Sequence, residues 1–264
     1  MSKKSTLLIG SHLPPSTTGL QFACSDAGLP TDERNLVVKA ALSFFAYTQI
    51  QPDVHIYLDK HIPVAAGLGG GSSDAGTCLR GLNSFFNMAL TDSQLFELAS
   101  PLGADVPFFV SETPAFYATG IGNKLCPIEP VDPCWIVLVN PGISISTKWA
   151  YDNFTLTREG NSYNLLGCSK SLFNASRQDD APVKKAEMAC LCNDLEEVTL
   201  KKYTVIQDIK DELIANGAVT SLMSGSGATV FGVFDHIETA HKCKEKFSKR
   251  YSAVFLAEPI IDTF

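Results

Sequence analysis

Residues 63–76 read Pro63-Val64-Ala65-Ala66-Gly67-Leu68-Gly69-Gly70-Gly71-Ser72-Ser73-Asp74-Ala75-Gly76. Glycines dominate positions 67–71, so this backbone is free to adopt positive φ and to approach a ligand closely. Apolar side chains then recur at helical spacing, at Ala75, Leu79, Leu82 and Phe86. A glycine loop that opens a helix points several N–H groups and the positive end of the helix dipole at one spot, which suits a phosphate group.

The start of this helix and the type of loop can both be specified further. We expect Ser72 or Ser73 to cap the helix and Asp74 to lie in its first turn. A Walker A loop is excluded because the stretch has no lysine, and the dinucleotide-binding fingerprint fails because Ser72 stands where its third glycine belongs. The simpler alternative is a flexible turn before an ordinary helix.

The composition of the 264-residue chain is that of a globular protein, with 45% hydrophobic and 19% charged residues. Its net charge of −7 argues against nucleic acid or an anionic membrane as the main partner. The cysteines show no zinc-type pairing, the histidines show no ligand spacing, and no apolar stretch reaches membrane-spanning length. We therefore expect a cytoplasmic protein whose residues form no dedicated metal site.

The N-terminal half predicts mixed helix and strand. A capping-box pattern at Thr91–Gln94 marks the start of one helix, which runs through Ala99. The other predicted elements are strands at 5–10, 20–24, 54–59, 115–118 and 124–128, and a helix at 33–46.

From Trp135 the order of elements changes. The predicted elements are strands at 135–139, 219–223, 228–234 and 253–257, and helices at 147–153, 187–200, 206–214 and 237–247, with an irregular polar segment at 158–183. Apart from the helical insertions, the order is β, α, β, β, α, β, which indicates a ferredoxin-like split βαβ unit.

The string Pro-x-x-x-Gly-Leu-Gly-Gly-Gly-Ser-Ser-Asp-Ala, beginning at Pro63, resembles the phosphate loop of the GHMP kinases. The similarity covers roughly Asp32 to the C-terminus and is strongest to members that act on a cytidyl substrate. It implies an α+β fold of two domains, an N-terminal ATP-binding domain at 1–133 and a C-terminal ferredoxin-like domain at 134–264. It further implies ATP-dependent phosphorylation of an alcohol group with Mg²⁺.

The resemblance also assigns roles to individual residues. Asp105 matches the family's catalytic base, because Gly103–Pro107 reproduce its Gly-Ala-Asp-Val-Pro segment; the alternative is a structural cap. Lys60, Asn35 and Leu36 match positions that line the adenine pocket, although Lys60 reads equally well as a solvated charge and Asn35 as a helix-start residue. The loop positions expected to bind the nucleotide are Pro63, Val64, Ala65, Ala66, Gly67, Leu68, Gly69, Gly70, Gly71, Ser72 and Ser73.

Two further segments match the family. Ser224–Thr229 resembles its third motif, a second glycine turn that backs the phosphate loop. Tyr151 occupies the position of an aromatic that stacks on cytosine in related enzymes, and Thr147 lies nearby. The resemblance thus implies that Thr147 and Tyr151 bind a small-molecule cytidyl substrate; the alternative for Tyr151 is a core residue of a short helix.

The start of the chain departs from the family pattern. No Pro-Ala-Lys-Leu-Asn-Leu-like strand and no Asp-Gly-Tyr-His segment precedes Thr31. Aligned on the loop, Met1 falls inside the family's N-terminal domain, and we expect the coding frame to continue upstream. The rival hypotheses are another GHMP kinase of the homoserine or mevalonate type, and an inactive nucleotide-binding form. We expect a monomer or weak homodimer.

Overall fold

The computed structural model describes residues 5–10, 19–87, 90–111, 113–120, 122, 124–154 and 191–260. These form two compact units. Of these residues, the first unit contains those numbered 5–64 and 69–128, and the second contains those numbered 65–68 and 129–260. The chain therefore leaves the first unit for four residues of the glycine-rich loop and then returns to it.

The first unit is a three-stranded sheet covered by helices. Its elements are β1 Thr6–Gly10, β2 Gly19–Cys24, α1 Leu36–Thr48, β3 Asp53–Asp59, α2 Gly70–Phe85, α3 Asp92–Ala99, α4 Val106–Val110, β4 Phe116–Thr119 and β5 Lys124–Pro127. The sheet order is β1-β3-β2, with β1 antiparallel and β2 parallel to the central β3. Strands β4 and β5 form a separate antiparallel hairpin.

Periodicity in the sequence explains how the core of the first unit forms. Alternate residues of β3, Val54, Ile56 and Leu58, are buried, as expected of a strand with one face on the core. They share an apolar cluster with Phe44 of α1 and Leu79 of α2. Full burial of each such side chain contributes about 1.5–3 kcal/mol relative to exposure.

The second unit is a four-stranded antiparallel sheet in the order β7-β8-β6-β9. Its elements are β6 Trp135–Asn140, α5 Thr147–Asn153, α6 Glu196–Lys202, α7 Thr204–Ala215, β7 Thr220–Met223, β8 Val230–Phe234, α8 Ile237–Ser248 and β9 Ala253–Ala257. Helix α7 packs on β7 and β8, and α8 packs on β6 and β9. This is the split βαβ arrangement predicted from the sequence, so the α+β prediction with a ferredoxin-like second part is confirmed.

Most predicted elements are confirmed, including the capping box at Thr91. The helix predicted at 187–200 is wrong in extent, because Asn193–Leu195 form a turn and α6 begins only at Glu196. The side chain of Asn193 accepts a hydrogen bond from Leu195 N, a local bond that competes with helix formation. The segment 158–183 and residues 187–190 lie outside the described residues. The domain boundary at 133/134 stays a prediction.

None of the helices within the described ranges combines the length and the apolar character needed to cross a membrane.

Candidate active site

Helix α2 begins inside the glycine run rather than after it. Its first residue is Gly70 and its N-cap is Gly69, which has φ 62° and makes no side-chain cap bond. The prediction that Ser72 or Ser73 caps the helix is therefore wrong, and Asp74 lies beyond the first turn. The physical reason is that Gly69 adopts the left-handed conformation at no steric cost, so the helix can start three or four residues earlier than predicted.

This early start gathers N–H donors at one point. The N–H of Ser73 donates to Gly69 O at 2.8 Å, which is the first bond of the α2 ladder. The N–H groups of Gly70, Gly71 and Ser72 precede that bond and have no partner within the helix. Together with the helix dipole, they form a site suited to an anion, and the half-buried residues Ser72 and Ser73 lie at the same end of the helix.

Residues Ala65–Leu68, which precede Gly69 in the loop, belong to the second unit and pack against its Ser224–Thr229 turn. Ser224 Oγ donates to Gly67 O at 2.9 Å, and Thr229 N donates to Ala66 O at 3.2 Å. Gly67 has φ 73°, and a Cβ at that position would lie 2.1 Å from Ser224 O. Only glycine allows this approach. The two glycine-rich motifs singled out in the sequence are thus in direct contact.

Lys60 is paired with Asp74 rather than solvated. The Nζ of Lys60 forms an ion pair with the Asp74 carboxylate, and only 5% and 6% of the two side chains is exposed. Burial raises the pKa of the Asp74 carboxyl, and the bond with Lys60 offsets part of that rise. The pair lies beneath the start of α2, since a Cβ on Gly70 would lie 3.1 Å from Lys60 Nζ.

Asn35 and Leu36 lie at the start of α1. Asn35 is the N-cap: its Oδ1 accepts from Val37 N at 3.0 Å, and its Nδ2 donates to Pro30 O at 2.9 Å. Leu36 lies close to the glycine run, because its Cδ1 is 3.5 Å from the Cβ position of Gly71. The structure therefore brings Leu36 and Lys60 together around the first turn of α2.

Asp105 lies at the N-terminal end of α4, which packs on α2 through Phe109. A Cβ on Gly76 would lie 2.6 Å from Phe109 Cβ, and the ring of Phe109 lies 3.3 Å from the Cβ position of Gly69. Asp105 is exposed and occupies the N-cap position, but its side chain makes no cap bond. An exposed carboxylate without that structural role is available to accept a proton.

Thr147 and Tyr151 lie one turn apart on helix α5, in the second unit. Tyr151 is 62% exposed, so it is not the core residue of the alternative interpretation. The hydroxyl of Thr147 lies 3.0 Å from that of Ser226, a residue of the Ser224–Thr229 turn. A free aromatic ring on this helix can stack on a planar base.

The sequence did not reveal which residues fix the start of α2 and the backbone around the Ser224–Thr229 turn. Asp74 was expected only in a helix start, and Asn193 and Glu196 were expected within a helix. Asn193 Nδ2 donates to Met223 O at 2.8 Å and Gly225 O at 2.7 Å, and Glu196 Oε1 accepts from Met223 N at 2.6 Å. These partners of Asn193 and Glu196 are backbone atoms distant in sequence, and no local sequence pattern indicates such bonds.

No group of three or more His, Cys, Asp or Glu residues that could hold a metal ion occurs in the part of the chain that the structure describes. Cys24, Cys78, Cys126 and Cys243 are free thiols.

Comparison with known proteins adds independent findings. Residues 35–113 match the model of the GHMP kinases N terminal domain, and 172–253 match that of the GHMP kinases C terminal. The chain is 42% identical over 244 residues to the 4-diphosphocytidyl-2-C-methyl-D-erythritol kinase of Syntrophotalea carbinolica, covering 92% of this chain and 82% of the relative. It is 44% identical over 253 residues to the kinase of the same name from Desulfotalea psychrophila, covering 92% and 80%.

Solved structures give the same picture. A 4-(cytidine 5'-diphospho)-2C-methyl-D-erythritol kinase superposes with a TM-score of 0.72 at 27% identity, covering 96% of this chain and 85% of the other. A homoserine kinase from Cytophaga hutchinsonii also superposes with a TM-score of 0.72, at 15% identity and with 98% and 86% coverage. The second likeness concerns the fold alone.

Proposed function

The chain belongs to the GHMP kinases, and on that premise we propose that it transfers the γ-phosphoryl group of ATP to the 2-hydroxyl of 4-diphosphocytidyl-2-C-methyl-D-erythritol. This reaction belongs to non-mevalonate isoprenoid precursor biosynthesis. The observation that carries the proposal is the identity of 42% and 44% with two kinases of that name over 92% of the chain. The loop and helix geometry fit phosphoryl transfer, which depends on positioning and charge stabilisation.

The nucleotide phosphates are bound by the glycine-rich loop. The N–H groups of Gly70, Gly71 and Ser72 donate to phosphate oxygens at the positive end of α2. The backbone from Pro63 to Leu68 completes the loop, held in place by the contact of Gly67 with Ser224. Leu36 lines the adenine side, where Asn35 and Lys60 act mainly by fixing the starts of α1 and α2.

Asp105 is the general base. Its carboxylate accepts the proton of the attacking hydroxyl, so that the oxygen becomes a better nucleophile as the bond to phosphorus forms. The absence of a cap bond from its side chain supports this role over a structural one.

The second unit binds the cytidyl substrate. Tyr151 stacks on the cytosine ring with its exposed face, and the hydroxyl of Thr147, held near Ser226, contributes a hydrogen bond to the substrate.

Mg²⁺ is the expected metal ion. It is usually held by one or two carboxylates, water and the phosphates themselves, so a cluster of acidic side chains is not required. The hydroxyls of Ser72 and Ser73 are hard oxygen donors of the right chemistry. When bound, the ion would neutralise charge on the phosphate oxygens. We further propose a cytoplasmic enzyme that is a monomer or weak homodimer.

The test is ADP formation with a panel of substrates. We expect kcat/KM for 4-diphosphocytidyl-2-C-methyl-D-erythritol to exceed that for homoserine and mevalonate by at least about 10²-fold, because a site that hydrogen-bonds its substrate rejects analogues strongly. A preference for homoserine or mevalonate would replace the proposed substrate with that of the rival kinase. Binding of ATP without turnover on any of the three would contradict the proposed reaction.

A further inference from the structure

The Ser224–Thr229 turn is held on one side by the start of helix α6. Asn193 Nδ2 donates to two carbonyl oxygens, Met223 O at 2.8 Å and Gly225 O at 2.7 Å. Glu196 Oε1 accepts from Met223 N at 2.6 Å, and its carboxylate forms an ion pair with Lys210 in which both side chains are 14% exposed. The turn is therefore anchored by a polar cluster that lies behind it.

On its other side, the same turn contacts the phosphate loop. Ser224 Oγ donates to Gly67 O at 2.9 Å, Thr229 N donates to Ala66 O at 3.2 Å, and the backbones at Gly67 and Ser224 are too close for any side chain on residue 67. A displacement of the turn would therefore displace Ala66 and Gly67 as well.

We propose that Asn193 is a positioning residue of the kinase. It fixes the Ser224–Thr229 turn, and through that turn it fixes the loop backbone at Ala66 and Gly67 in the conformation that binds the phosphates of ATP. The inference rests on the proposed function, because it requires this loop to bind ATP. Asn193 acts through its amide group without contacting either substrate, and Glu196 supports it at the adjoining Met223 N–H.

The two ends of the Asn193 amide do separate work, which makes the proposal testable. Its Oδ1 accepts from Leu195 N at 3.1 Å and so helps to start α6, whereas its Nδ2 holds the turn. Asn193→Asp keeps the oxygen for Leu195 N–H, but it removes both donors and places a carboxylate against two carbonyl oxygens. A purely structural role in starting α6 would survive this change, and the positioning role would not.

The experiment measures the Kd for ATP, steady-state kinetics and the melting temperature of the full chain with Asn193→Asp. We expect Kd and KM for ATP to rise about 10- to 100-fold, since each of two lost hydrogen bonds is typically worth a factor of about three to ten. We expect kcat to change much less. Because Asn193 acts through the turn, combining Asn193→Asp with Ser224→Ala should give an increase smaller than the product of the two single effects.

Asn216→Asp is the matched control. Asn216 Nδ2 also donates to a backbone carbonyl, Glu212 O at 2.6 Å, but it does so at the end of α7 and makes no bond to the turn. We expect it to leave the Kd for ATP unchanged. If Asn193→Asp fails to fold, Asn193→Ser, which retains a short oxygen acceptor for Leu195 N–H, takes its place in the same measurements.

Two results would overturn the inference while leaving the kinase activity standing: an Asn193 variant that binds ATP within about twofold of an active parent, or an equal loss of ATP affinity in Asn216→Asp. An active parent with weakened ATP binding only in the Asn193 variants supports it. A parent that does not bind ATP at all would overturn both the inference and the proposed function.

Discussion

Replacing Gly67 by alanine tests whether the contact between the two glycine-rich motifs shapes the ATP site. The new Cβ would lie 2.1 Å from Ser224 O and 2.9 Å from Gly227 O, and both neighbours are backbone atoms that cannot rotate away. The residue also has φ 73°, a region that alanine adopts only at a cost. The loop and the turn must therefore separate.

The expected magnitude follows from these contacts. Relieving the overlap requires a movement of roughly 1 Å, which stretches the bonds from Ser224 Oγ to Gly67 O and from Thr229 N to Ala66 O beyond hydrogen-bonding distance. Losing two such bonds costs about 1–3 kcal/mol, and the left-handed conformation costs about 1–2 kcal/mol. If ATP binds only the parent arrangement, about 3 kcal/mol corresponds to a loss of about 10²-fold in affinity.

The assay is calorimetric titration of ATP into Gly67→Ala, with circular dichroism to confirm the fold. Gly142→Ala is the control, because Gly142 has φ 77° and no atom of the described residues lies within 4 Å of its Cβ position. It carries the same backbone cost without the collision, so we expect lower stability and unchanged ATP affinity. Gly67→Ala that binds ATP as tightly as the control would refute the reasoning.

Three further predictions concern single side chains. Asp105→Asn should lower kcat about 10²- to 10⁴-fold with little change in KM or melting temperature, because the carboxylate makes no cap bond; a fall in melting temperature with kcat retained would identify a structural residue instead. Tyr151→Ala should raise KM for the cytidyl substrate about 10-fold while Tyr151→Phe keeps it near the parent value, as stacking requires; equal effects of the two changes would rule stacking out. Burial raises the pKa of the Asp74 carboxyl above its usual 3.8. The folded state therefore binds the carboxyl proton more tightly than the unfolded chain does. As a result, the contribution of Asp74 to the free energy of unfolding should fall as the pH rises from 3.8 towards the raised pKa. Urea unfolding of the parent and of Asp74→Asn at a series of pH values measures the free energy of unfolding of each. If the parent becomes more stable relative to Asp74→Asn as the pH rises, the prediction is contradicted.

The fold was predictable from the sequence because its signals are local and periodic. The alternation in β3, the capping box at Thr91 and the order of elements after Trp135 each depend on neighbouring residues. The candidate site was predictable in part, since the glycine run and the segment around Asp105 are contiguous motifs whose similarity to a family is specific.

What the sequence could not reveal depends on contacts between distant residues. Gly70 looked like a position kept open for a ligand, yet its Cβ would lie 2.8 Å from Ile62 Cγ2, so packing within the first unit already disfavours a side chain there. Lys60 looked like a solvated charge or a nucleotide ligand until its partner, fourteen residues later, was in place. Likewise, Asn193 is 32 residues away in sequence from Gly225 of the turn that it holds, and only the folded chain shows the bond.

The most direct test of the central claim is to follow the γ-phosphoryl group itself. The parent enzyme is incubated with ATP, Mg²⁺ and 4-diphosphocytidyl-2-C-methyl-D-erythritol, and the products are identified by phosphorus NMR. We predict equal amounts of ADP and of a new phosphate monoester on the 2-hydroxyl of the erythritol moiety. ATP that stays intact, or a γ-phosphate that appears as inorganic phosphate instead of the ester, would contradict the account.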